Sequence, residues 1–408
     1  MPTRTVLAAI ILIFTVSCAV APPVDRGTLT FEEGIAVLAD DLCGQLERSS
    51  IGNLLNTVIV NPRTGQKQYK KIVIDPFVDV ESGYPVKVSA RIAGIISDEI
   101  DARFKVTGQL EPENLEVSEY VLNGMVTLVT NGNAKDNVRS KGKGKKNEYN
   151  VRATVFEKAT GKVLAAASVV VSEFDTTPMD IYRDSPVFLK GTDYEQHTSS
   201  VEKIRGENVE DGYYDRLMMK AIIAKGDALY EKQEYSKSLA YYNQAAASQS
   251  TPNLEVLNGQ FTNYMKQGLW NEAAAAYGKL IRTSIAETKQ VASKITFAPN
   301  AVTPLEVKAD QYNIYMKEIA ALVNEIPGCR IKIVGHSSRT GSEGYNDSLS
   351  LRRSEWVQKL MAIYAPGIPD KSVTIGKGYR ENIVGTGTDD VTDEIDRRVE
   401  FVFTGCEK

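Results

Sequence analysis

The residues with most to offer chemically gather in one run, GHSSRTGSEGYNDSLSLRRSEWV, from Gly335 to Val357. It sets the imidazole of His336 beside the hydroxyls of Ser337 and Ser338, followed by a polar turn and a helix-like stretch ending in arginine. A serine nucleophile on a strand-to-helix elbow needs G-x-S-x-G. Here the fifth position is Arg339, so that chemistry is missing. GKGKKN, GKGYRE and GTGTDD each lack the last glycine of a dinucleotide-binding loop, and there is no Walker loop and no HExxH. The two histidines, His197 and His336, are far apart in sequence, which leaves little for imidazole catalysis or a His-rich metal site. Carboxylates are plentiful but never set as a paired acid and base. The run reads as one that grips a ligand rather than transforms it. We expect no enzyme activity, no cofactor and no metal.

What must position this run is a long chain. At 408 residues, with 42% hydrophobic and 25% charged residues and a net charge of -4, two or three ordinary globular domains are expected. The balance shows no bias toward nucleic acid or an acidic surface. The first residues, MPTRTVLAAIILIFTVSC, pair one basic residue, Arg4, with an apolar run too short to span a bilayer comfortably. TVSC resembles a lipobox, with Thr15 atypical where leucine is usual. The expectation is a lipoprotein signal over 1–17, lipidation at Cys18 and a linker over 18–28. The alternative is an ordinary cleaved signal in which Cys18 is incidental. Ala19 in place of aspartate points to the outer membrane, with the mature chain facing the periplasm. In that oxidising compartment Cys329 and Cys406, which flank the last strands, are the candidates for a disulfide. Cys43 reads as a buried thiol.

Three segments follow. Over 29–200 the pattern is helix, strand, helix and three strands, an α+β layer domain. LADDL, IVIDPFVD, SARIAGIISDEI and YVLNGMVTL resemble the periplasmic lipoprotein domains of the curli-secretion and penicillin-binding-protein-activator class (CsgG/LpoB-like). That resemblance implies binding of partner proteins or assembly. Arg139, Lys141, Lys143, Lys145 and Lys146 lie between two of the strands, as a solvated hairpin tip or a contact for lipid phosphates or an acidic partner. Residues 175–212 read as irregular connection. Over 213–288 the pattern is helical and repeats: Tyr235 and Trp270, Ser238 and Ala273, and Tyr242 and Tyr277 are each 35 residues apart. This resembles two tetratricopeptide repeats. They serve either as a spacer or as a concave peptide-binding groove, with a neighbouring domain covering one end.

From 293 to 408 the expected order is βαβαββ, with strands at ITFAP, CRIKIVGH, SVTIGKGY and RRVEFVF. Phe297, the GH pair at 335–336, Gly341, Asn346, Leu349, Ser350, Arg353, the GKG at 376–378 and RRVEF at 397–401 together resemble the OmpA-like peptidoglycan-binding domain over its whole length. The resemblance implies a cleft for the diaminopimelate of stem peptides. An Asp would take its ammonium, and the Arg of N-x-x-L-S-x-x-R, here Arg353, would grip a carboxylate with its planar fork. The family Asp aligns with Ser338, and Asp396 replaces the usual Asn before Arg397 and Arg398. A hydroxyl keeps a hydrogen bond but not a charge, a loss of about 1 kcal/mol, or several-fold to tenfold in affinity. Asp347 is a nearby carboxylate that would compensate if the fold placed it there. His336 reads as structural, and Arg397 and Arg398 should alternate, one toward the cleft and one toward solvent.

Together these readings describe a multidomain α+β, lipid-anchored scaffold that ties the outer membrane to peptidoglycan. Its first domain and repeats recruit envelope proteins. The alternative is a partner-binding or regulatory component of an envelope assembly (secretion, wall synthesis or motility) whose C-terminal domain has lost its wall affinity.

Overall fold

The computed structural model describes residues 27–49, 58–60, 67–69, 71–104, 107–129, 148–187, 192–210, 213, 216–248, 253–291, 293–382 and 392–406. Cys18 and the basic run from Arg139 to Lys146 lie outside the described residues.

Helix α1 (Phe31–Glu47) buries Ile35, Leu38, Leu42 and Leu46 along one face. At its start Glu33 accepts from the Thr30 hydroxyl at 2.8 Å and from the Thr30 backbone N–H at 3.4 Å. After it come a separate hairpin of β1 (Val58–Val60) and β2 (Lys67–Tyr69), then β3 (Lys71–Ile74), β4 (Val78–Asp79) and β5 (Tyr84–Pro85). Helix α2 (Ser89–Phe104), β6 (Thr107–Gln109), α3 (Pro112–Val117), β7 (Ser118–Leu128), β8 (Glu148–Glu157) and β9 (Val163–Ser172) complete the layer. β3 and β4 run in line along β7, both parallel to it, broken around Pro76, which has no amide to donate. β6 extends the sheet beyond β3, and β8 and β9 extend it antiparallel on the far side of β7. One face of the sheet packs on α1 and α2, with Ile72, Leu122, Val151 and Val171 in that core.

The stretch expected to be irregular is partly helical: α4 (Asp180–Arg183) and α5 (Thr192–Glu202). α5 buries His197, Ser200 and the single apolar Val201 rather than an apolar stripe, which is why it carries no hydrophobic period. His197 Nε2 meets the Gly124 carbonyl at 2.9 Å, and Asn123 donates to Ser200 at 2.5 Å. Beside them Asp75 accepts from the Tyr213 hydroxyl at 2.6 Å and lies 3.4 Å from both Lys220 Nζ and His197 Nδ1. Burial opposes the Asp75 charge, but Lys220, His197 and Tyr213 hold its carboxyl well below the usual range. The first domain's packing thus runs past residue 200, through Val209 and Tyr213.

Helices α6 (Leu217–Glu231), α7 (Tyr235–Ala247), α8 (Leu254–Lys266) and α9 (Trp270–Thr288) form two hairpins. The small residues Ser238 and Ala273 and the aromatic rings of Tyr242 and Tyr277 are all buried at the helix contacts. Tyr242 lies so close to α8 that a Cβ on Gly259 would fall 2.0 Å from its ring.

The last domain starts with β10 (Gln290–Val291), before residue 293. The expected strand at ITFAP is reduced to single bridges, Lys294 to Val399 and Phe297 to Pro304. Its start is taken by the connector instead: Lys294 N–H donates to the Pro186 carbonyl at 2.8 Å. Then come α10 (Ala309–Glu325), β11 (Arg330–Gly335), α11 (Glu343–Tyr364), α12 (Ile368–Lys371), β12 (Ser372–Gly376) and β13 (Val399–Thr404). The sheet order is β10-β13-β11-β12, with β11 parallel to β12 and antiparallel to β13. Ile331, Ile333, Phe401 and Phe403 face α10 and α11 in a core that continues into the hairpins. The rings of Tyr277 and Tyr315 stack across that junction with centroids 4.5 Å apart. Cys329 and Cys406 form a disulfide, and Cys43 is a buried free thiol. Among the described residues no helix is long and apolar enough to cross a membrane.

Candidate ligand-binding site

The site lies at the end of the C-terminal sheet where β11 and β12 stop and β13 begins. Glycine sets its geometry. α11 crosses β11 so closely that a Cβ on Gly335 would fall 1.9 Å from the Ser350 carbonyl oxygen. Ser350 then accepts from the Gly378 N–H at 2.9 Å through its hydroxyl, tying the helix to the GKG turn. Ser342 caps α11 by accepting from the Tyr345 N–H at 3.4 Å. Asn346, one turn in, donates to the Thr340 carbonyl at 3.1 Å and fixes the turn after the GHSS run. Leu349 is buried beneath.

Arg353 is 0% exposed. Its Nε donates to the Ala301 carbonyl at 2.9 Å, Nη1 to the His336 carbonyl at 3.0 Å, and Nη2 to the Ala298 carbonyl at 3.2 Å. The Phe297 ring lies 4.8 Å from its guanidinium carbon, a cation–π contact. One side chain therefore joins α11, the loop at 297–301 and the end of β11. Ser338, 6% exposed, lies two residues beyond His336.

Arg397 and Arg398 do point to opposite sides, but neither faces solvent; they are 5% and 4% exposed. Arg397 Nε donates to the Phe297 carbonyl at 2.9 Å. Arg398 Nε donates to Glu400 at 2.6 Å, and its Nη2 to the Glu381 carbonyl at 3.1 Å. His336, wholly buried, stands 3.6 Å from Glu400, farther than a hydrogen bond reaches. Burial pushes the imidazole below its ordinary pKa. Burial opposes the Glu400 charge as well, but His336 and Arg398 together hold its carboxyl down at about 2. This pairing sets Arg398 against Glu400 on one side of the chain. It was not legible in the sequence, although the i, i+2 spacing of Arg398 and Glu400 on a strand carried a hint.

Asp347 does not stand in for the missing acid. Arg380 grips it with both arms, Nη1 to Oδ1 at 2.5 Å and Nη2 to Oδ2 at 2.6 Å. The structure thus brings Phe297, Asn346, Leu349, Arg353 and Arg397 to one side of the sheet end, through contacts with one loop and one helix. Arg398 is turned to the other side.

This fold and site define an OmpA-like domain at the C-terminal end of the chain. Residues 305–395 match the OmpA family. Over 77 residues the chain is 30% identical to the peptidoglycan-associated lipoprotein of Legionella pneumophila, a stretch covering 19% of this chain and 43% of that relative. The chain therefore spans less than half the length of the curated relative it matches. The peptidoglycan-associated lipoprotein from Burkholderia pseudomallei is a similar solved structure, at 20% identity and a TM-score of 0.25, covering 27% of this chain and 89% of that one. The C-terminal domain of Helicobacter pylori MotB is another, at 19% identity and a TM-score of 0.23, covering 28% and 84%.

Proposed function

We propose that the chain is a non-enzymatic envelope scaffold that is lipid-anchored in the outer membrane through Cys18 and associates with peptidoglycan through its C-terminal domain. The observation that carries this reading is the OmpA family match over 305–395, within which Asn346, Leu349 and Arg353 converge on one end of the sheet. The proposed ligand is the diaminopimelate of the stem peptide. Ser338 accepts from its ammonium through a neutral hydroxyl, and Arg353 takes a carboxylate. Because Arg353 has no exposed surface, that carboxylate must displace a partner that Arg353 now holds, such as the carbonyls of the half-buried Ala298 and Ala301. The first domain and the helical hairpins recruit envelope proteins.

The burial of Arg353 and the serine at 338 favour a second reading. In it, the OmpA-like domain no longer holds the wall and only positions a component of an envelope assembly. Co-sedimentation of the chain from residue 19 onward with isolated sacculi decides between the two. The C-terminal domain shares its core with the hairpins, so the longer chain is the right sample. The first reading expects the wild type to pellet, Arg353→Lys to lose most of its binding because an ammonium lacks the fork, and Ser338→Ala to lose little. A folded wild type that stays in the supernatant removes wall binding. Equal small losses in both variants remove the assignment of Arg353.

A further inference from the structure

The chain's own connector lies across the first helices of the two hairpins, α6 and α8. Tyr182 of α4 sends its hydroxyl to Asp227 of α6 at 2.7 Å and to Glu255 of α8 at 2.8 Å. Two residues on, the Asp184 carboxylate meets the Tyr230 hydroxyl at 3.0 Å and Lys266 Nζ at 2.8 Å. One tyrosine and one acid are thus read at two points by four side chains of the hairpins. Tyr242 also donates to Asp227. A phenol has one proton to give, so two carboxylates meeting at Tyr182 need a further proton between them. Asp227 supplies it: burial, with Glu255 close by, pushes its pKa up to about 8 against the Tyr242 and Tyr182 hydrogen bonds.

An independent observation sets this contact apart from ordinary core packing. On α8, helical spacing puts Glu255, Asn258, Thr262 and Lys266 on one stripe. Its two ends meet Tyr182 and Asp184, and Asn258 lies between those ends on the same face of α8. Asn258 is 1% exposed, and among the described residues neither its amide nitrogen nor its amide oxygen has a hydrogen-bond partner. A buried side chain able to donate and accept at once, left unused, marks a place where an extended peptide backbone would pair and the short helix α4 does not.

We propose that the α6–α8 face is a binding site for a protein segment carrying tyrosine followed two residues later by an acidic residue, and that Tyr182 and Asp184 occupy it in cis until such a segment displaces them. This deepens the recruiting role proposed for the hairpins and is independent of wall binding, so the sacculus assay can fail while this holds. The connector also ties the domains together. Tyr182 stacks on Tyr84 of the first domain at 5.5 Å, and its carbonyl accepts from Lys294 at the edge of the last domain at 2.5 Å. Displacement would loosen all three domains at once.

The test uses the full chain and a fluorescein-labelled synthetic peptide of residues 178–187, followed by anisotropy. In the wild type the tethered segment competes at an effective concentration of about millimolar, so the peptide binds weakly. Tyr182→Phe keeps the stacked ring but loses the hydroxyl. It should raise the apparent affinity about tenfold or more. On that variant, a peptide with phenylalanine in place of its own tyrosine should bind about tenfold more weakly. Equal binding of the peptide by wild type and Tyr182→Phe, including none by either, overturns the proposal, as does equal binding of the two peptides. Hydrogen exchange on the wild type needs no variant. Amides of 180–187 should exchange by local opening, faster than those of α6 and α8, whereas exchange only at the rate of those helices would make the connector a permanent part of the core.

Discussion

Replacing Arg353 by alanine should unfold the C-terminal domain at a markedly lower temperature, before any question of ligand arises. The guanidinium donates to the carbonyls of Ala298, Ala301 and His336 and makes a cation–π contact with Phe297. Of the three acceptors, the His336 carbonyl belongs to a fully buried residue and would be stranded, at about 1–3 kcal/mol. The other two sit on half-buried residues and can turn partly to water. Adding the cavity left by a large buried side chain, the total comes to about 3–5 kcal/mol, the range for breaking a buried charged network. Because the hairpins and the last domain share one core, each kcal/mol is worth about 2–4 °C in a unit of that size, or roughly 6–20 °C in all. Thermal unfolding followed by circular dichroism reads this directly. A melting temperature within about 2 °C of wild type would refute the reasoning, because it would mean the three carbonyls find other partners at no cost. Arg353→Lys should fall between the two, keeping the charge but reaching at most part of the acceptor set.

Four further outcomes are expected. Asp227→Asn should flatten the pH dependence of stability between about pH 4 and pH 8. The native carboxyl holds its proton up to about pH 8 while the unfolded one loses it near 4, so the wild type loses stability as pH rises through that window and Asp227→Asn, which has no proton to lose, does not; melts from pH 5 to 9 check this. Ser338→Asp should tighten sacculus binding several-fold to about tenfold by restoring a charged acceptor, and unchanged binding would mean Ser338 does not meet the ammonium. Reducing Cys329–Cys406, a crosslink 77 residues apart, should lower stability by about 4–5 kcal/mol on the chain-entropy argument, seen as a lower denaturation midpoint in reductant. Gly259→Ala, which in a free helix would stabilise by about 1 kcal/mol, should destabilise here, because its Cβ would fall 2.0 Å from the Tyr242 ring.

Much of this protein was decided locally and could be read from residue types and spacing. The amphipathic stripes of α1 and α2 bury the faces their periodicity marks. The 35-residue spacing of Tyr242 and Tyr277 follows from each hairpin packing on the next, a short-range constraint. The GH glycine and the serine and arginine of α11 converge because one close helix–strand crossing fixes all three. Only the tertiary structure decided the rest, and the reason is the same each time: a polar group's role depends on partners distant in sequence. α5 was invisible to hydrophobic periodicity because its buried face is His197 and Ser200 beside a single apolar residue, Val201, with Gly124 and Asn123 of β7 as hydrogen-bond partners. Asp347 was free to compensate for Ser338 in sequence but is held by Arg380 in space. Arg397 and Arg398 lie just before β13 and point to opposite sides, yet both are covered, because the loops at 297 and 381 close over them. Tyr182 sits in a four-residue helix with no pattern of its own, and its partners Asp227 and Glu255 lie 45 and 73 residues away. Only the packing of α4 against α6 and α8 brings that hydroxyl between two carboxylates.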